Sequence, residues 1–209
     1  MNLSATSRGT AIAGKLISRC PSWIYWLLFA AIAGPIGIVV HELGHFLVAH
    51  AFGFPDVVLH FGSVSVGGAE AGAPQWQQGM KAGAGPFVTL ALLGICCGAT
   101  ARFGAQPWIV APGFAIGVRS ALVGLAYLFA RIRGSAGTAN FDELNFARAL
   151  GLSMDAVMAT STALVLVCWI FLASSISPGN RLKSLMATIA GTAAGVLLYV
   201  NWLGPWVLP

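Results

Sequence analysis

Long apolar runs separated by short polar breaks dominate this chain. Five of them, at residues 23–52, 83–100, 108–130, 152–176 and 182–203, come near or exceed the ~20 apolar residues a helix needs to cross a ~30 Å hydrocarbon core, so each predicts a transmembrane helix. Between the first two, the stretch VVLHFGSVSVGG at 57–68 is rich in β-branched residues and closes on a glycine pair, which predicts a short β-hairpin. Strands with open edges persist at membrane depth only where protein covers them or where they face a watery cavity. The expected fold is mainly α: a polytopic membrane helix bundle of about five transmembrane helices, with a short β-hairpin between the first and second spans. No soluble domain, linker or repeat interrupts it, so residues 1–209 read as a single membrane-embedded domain, with a basic tail at 1–22.

Composition agrees with this pattern. Of the 209 residues 57% are hydrophobic and 8% charged, against roughly 25% charged in a soluble domain. The net charge of +5 comes from scattered Lys and Arg without an aromatic-interleaved patch, which suits membrane flanks and excludes nucleic acid as a partner. Cys20, Cys96, Cys97 and Cys168 show neither CxxC nor metal-ligand spacing, and three of them lie in apolar segments, where a small buried thiol is the ordinary role. The basic residues Arg8, Lys15 and Arg19, followed by an apolar run and Ala31-Ile32-Ala33, imitate a secretory signal. The run continues through Phe54, however, so it is expected to remain as the first span.

Within that span lies IVVHELGHFLVAH, which places two imidazoles and a carboxyl group in an apolar helix. His41 and His45 are four residues apart, about 40° around the axis, so both rings point the same way one turn apart. Glu42 stands beside them. This is the geometry for two nitrogen ligands on one zinc ion, with a carboxylate positioned as general base toward water.

A hydrolytic zinc site takes a third protein ligand. His50 is about 180° around the helix from His41 and reads as interfacial or capping, and His60 on the hairpin has no orienting pattern. Asp56 and Glu70 in the polar connection, and Asp155 at the start of a later span, read as solvated or capping charges. ANFDELNFARALG at 139–151 remains, where Asp142 and Glu143 open a helix whose Leu144, Phe146, Ala147 and Leu150 can pack inward. Counting crossings returns this segment to the membrane face that carries His41 and His45. Neighbouring helical residues point about 100° apart, so only one of the two acids can meet the metal.

In order along the chain, HELGH in an early span, AGAGPFVTLALLG (82–94) opening the next, and FDELNFARALG after a third resemble the site-2 protease family of intramembrane zinc metalloproteases. The resemblance covers residues 23–151 as a catalytic core and leaves two C-terminal spans, 152–209, unexplained. It implies a zinc metalloendopeptidase, with Glu42 as general base, His41, His45 and Asp142 as ligands, and Zn2+ as cofactor. The family's Asp-Gly is here Asp142-Glu143, which keeps Glu143 as a competing third ligand, and the Asn expected after Gly85-Pro86 is Thr89.

The resemblance further implies hydrolysis of a peptide bond in or near a transmembrane segment of a membrane-protein substrate, by a multi-pass protein of a bacterial inner membrane. Val64, Ser65 and Val66 would receive the unwound substrate by strand pairing. The alternative is a non-proteolytic protein of the same fold acting in metal binding, transport or partner scaffolding, the last suggested by the small-residue face at 191–195. Arg119, in the middle of the third span, is expected to pair with an acid, line a watery cavity or snorkel.

Overall fold

The computed structural model of the chain describes residues 22–67 and 72–208. Arg8, Lys15, Arg19, Cys20 and Glu70, and with them the signal-like N-terminal pattern ahead of the first helix, lie outside the described residues. Among the described residues five helices are long and apolar enough to cross a membrane: α1 (Ser22–Ala51), α2 (Gln75–Phe103), α3 (Pro107–Ile132), α5 (Met154–Ser175) and α6 (Pro178–Leu198), the last prolonged by a π turn (Tyr199–Leu203) and a final helical turn (Gly204–Val207). A short α4 (Asp142–Ala149) sits between α3 and α5. The mainly α bundle and its small sheet are those expected from the apolar pattern.

One boundary departs from that expectation. α2 begins at Gln75 rather than residue 83, because Pro74 sets the start and accepts the first backbone bonds from Gln77 and Gln78. The Gln, Met, Lys and Ala that follow are good helix formers which a hydropathy window reads as loop.

The hairpin is shorter than 57–68. β1 (Val58–Leu59) pairs antiparallel with β2 (Val64–Ser65), Val58 opposite Ser65 and Leu59 opposite Val64, so Val66 lies beyond the ladder. Tyr199 donates to the Phe61 carbonyl at 2.9 Å and stacks edge-on against its ring, tying the hairpin tip to the end of α6.

α1 and α4 end in the same way. Gly53 and Gly151 adopt φ of +71° and +66°. Phe54 N–H reaches back to Ala49 and Leu152 N–H to Ala147, while each glycine's N–H bonds to His50 or Arg148. These are Schellman caps, in which a left-handed residue turns the chain and satisfies the last carbonyls.

The main core joins Trp26 and Ala30 of α1, Leu93 of α2, Val110 of α3, and Val165 and Leu172 of α5. On α6, a Cβ at Gly191 or Gly195 would run into the backbone carbonyls of Leu27 or Ala31, so these helices touch backbone to backbone. The 191–195 face is therefore occupied within the chain, which removes it as the partner-docking surface suggested by its composition. Outward, Ile132, Ile170 and Leu182 are each 68–73% exposed, an apolar coat that a bilayer would cover. α4 is pinned from below by Leu144, fully buried with Tyr127 of α3 and Met158 of α5.

Candidate metal centre

Burying Leu144 and Ala147 fixes the rotation of α4 and turns Asp142 toward the histidines of α1. His41 and His45 are buried, their rings edge-to-face with centroids 4.9 Å apart. The Nε2 atoms lie 3.2 Å from each other, and Asp142 Oδ2 lies 3.2 Å from His41 Nε2 and 3.3 Å from His45 Nε2. Three donor atoms thus form a nearly equilateral triangle. Glu42 is buried beside them; its carboxylate and the two imidazoles offer donor atoms within 4.8 Å of one another, a His-Glu-His group that can hold a metal ion.

One face of α2 orients both rings. His45 Nδ1 donates to the Lys81 carbonyl at 2.7 Å; a carbonyl only accepts, so Nδ1 carries a proton, and Nε2 is the nitrogen that faces the triangle. His41 Nδ1 meets Thr89 Oγ1 at 2.9 Å. Between these contacts lies Gly85, where an added Cβ would fall against the Nε2 atoms of both histidines. Two imidazole nitrogens and a carboxylate oxygen facing one another across a space kept open by a glycine are what a cation's donor set requires. The residues therefore fit a bound metal ion.

Asp142 is also held from α3. Arg119 donates to Oδ2 at 2.6 Å, which accounts for the charge in mid-span. Burial alone would push the Asp142 carboxyl up; the facing His41 and His45 imidazoles and the Arg119 guanidinium outweigh this and hold it well below the usual carboxylate range.

Glu143 points elsewhere. It is 3% exposed, neither carboxyl oxygen has a hydrogen-bond partner on another described residue, and it borders an apolar cavity of about 340 Å³ walled by Pro86, Phe87, Phe146 and Leu164. Burial pushes its carboxyl up. The structure thus brings one of the two competing acids to the histidines and turns the other away.

Two cavities meet beside the triangle, and His45 and Asp142 line the polar one. A polar one of about 670 Å³ is lined by Gln75, Gln78, Lys81, Asn140, Asn145 and Arg148. A more apolar one of about 540 Å³ lies among Ile38, Ile116, Leu122, Val123, Val196 and Val200. Glu42, Gly62 and Arg119 line both.

The remaining candidates stay outside. His50 is exposed and stacks on Phe46, His60 meets Ser65 Oγ at 2.9 Å, and Asp56 is exposed at the surface. Asp155 is more than a capping charge, since it accepts from Tyr127 Oη at 2.5 Å and from Arg131 at 2.7 Å. Of Val64, Ser65 and Val66 only Val64 lines the polar cavity, together with Gly62 and Ser63, which the strand pattern did not single out. Lys81, Gly85 and Thr89 were also missed as supports of the histidines; their i, i+4 spacing on one helix face was the available signal.

The chain matches no protein-family model, no curated protein and no solved structure.

Proposed function

We propose that this protein is an intramembrane zinc metalloprotease of the site-2 protease type, hydrolysing a peptide bond in or near a transmembrane segment of another membrane protein. The observation that carries this reading is the convergence of His41, His45 and Glu42, on a helix long enough to span a bilayer, with Asp142 of the short α4. Zinc bonds of ~2.0–2.1 Å in a tetrahedron imply ligand-to-ligand edges of about 3.3 Å. The edges here are 3.2, 3.2 and 3.3 Å. Three protein ligands are the complement of a hydrolytic rather than a structural zinc site.

Zinc held there would supply Lewis acidity toward water and the scissile carbonyl. Glu42, which borders both cavities, accepts the proton from water and returns it to the leaving amine. Lys81 and Thr89 fix the two rings, and Arg119 holds Asp142 in place. Val64 and its neighbours at the hairpin offer an edge to which an unwound substrate strand can add.

Glu42→Gln keeps the shape of the side chain and removes the base. Cleavage of a transmembrane substrate in lipid vesicles should fall by about 10²–10⁴-fold while bound zinc is retained. A chain that binds zinc, cuts no such substrate and behaves the same with Gln at this position is instead a metal-binding or transport protein.

A further inference from the structure

The metal centre leaves one acid of α4 unused. Glu143 is 3% exposed, and neither of its carboxyl oxygens is hydrogen-bonded to another described residue. Its own backbone N–H, spare in the first turn of α4, favours the charge without completing a hydrogen bond. Burying a carboxyl in this state is costly, and a donor carried in by a ligand relieves the cost.

The cavity that Glu143 lines, about 340 Å³, is within the range of small-molecule sites, roughly 300–1,000 Å³. Its walls come from α2, α4 and α5 and are mostly carbon, from Pro86, Phe87, Leu90, Phe146, Val157 and Leu164. It shares no lining residue with either cavity at the metal centre. Phe87 and Leu164, 56% and 47% exposed, also belong to the apolar coat of the bundle, so the cavity opens sideways toward lipid. α4 runs back along α2: a Cβ at Gly79 would meet Ala149 and Leu150, and one at Gly83 would meet Phe146. Glu143 therefore lies about two turns of helix further into the bundle than Leu150. A ligand dissolved in the bilayer reaches it through the open side.

We propose that this cavity binds a lipophilic alcohol from the lipid phase, its aliphatic body against α2 and α5 and its hydroxyl donating to Glu143. A hydroxyl donates to a carboxylate and equally to the carbonyl oxygen of a carboxylic acid, so the match holds for either form of the side chain. The aliphatic body covers apolar wall that water leaves unsatisfied. The site is separate from the metal centre and stands whether or not the chain is a protease.

The test uses the full chain in lipid vesicles with two photoreactive probes, a decanol with a diazirine in its chain and the methyl ether of the same molecule, which has no donor. Labelled residues are mapped by mass spectrometry. The alcohol should label the walls at 83–90 and 153–164 about tenfold more efficiently than the ether at equal membrane concentration. Glu143→Leu should bring the ratio of alcohol to ether toward one. Ala156→Phe, which fills the cavity and leaves the acid in place, should abolish labelling by both. It keeps the proposal testable where Glu143→Leu fails to fold. Equal labelling by the two probes in the unaltered chain, a preference that survives Glu143→Leu, labelling that survives Ala156→Phe, or no labelling of these walls each overturns the proposal.

Discussion

The two faces of α4 hold adjacent carboxyl groups in opposite circumstances. Asp142 meets two imidazoles and a guanidinium at the edge of a polar cavity, and its charged form is favoured. Glu143, about 100° around the helix, is buried against apolar walls with neither oxygen bonded to another described residue, and its charged form is disfavoured. The pair separates two circumstances of an acid in a membrane protein: for Asp142 the facing cationic and imidazole groups outweigh burial, and for Glu143 burial outweighs them.

Removing the support on the first face should have the larger effect. Arg119→Met leaves Asp142 without its cationic partner, and zinc affinity measured by competition with a chelator should fall about 10–100-fold. Unchanged affinity would mean that the guanidinium neutralises charge without placing the ligand. On the second face the expected change is smaller and opposite in sense. Glu143→Leu replaces an unpartnered buried carboxyl with an apolar group of similar size, and resistance to unfolding in mild detergent should rise by about 1–4 kcal/mol at unchanged zinc content. A loss of stability there would mean that the carboxyl has a partner, such as ordered water.

Much of the fold was legible because each span declares itself through local hydropathy. The polar first turns of α2 were not, since Gln75, Gln78 and Lys81 face a cavity that only the assembled bundle creates. The histidine pair with Glu42 could be read from a spacing of four on a single helix. Which of the two acids meets the histidines could not be fixed in that way, because periodicity gives the angle between Asp142 and Glu143 but not the absolute rotation of α4. That rotation is set by Leu144 packing with Tyr127 and Met158, contacts from two other helices. Arg119 posed the same difficulty: its charge was conspicuous in sequence, but its partner lies 23 residues away on another element. The small-residue face at 191–195 showed that something packs closely there, and only the structure shows that α1 does.

The most direct test is zinc stoichiometry and affinity in purified Asp142→Ala compared with Glu143→Gln and the unaltered chain. Loss of more than about a hundredfold in affinity for the first, beyond what removal of a supporting residue produces, with the second unchanged, is the expected result. Full-strength zinc binding by Asp142→Ala, or its loss in Glu143→Gln, would contradict the assignment of His41, His45 and Asp142 as the metal's ligands.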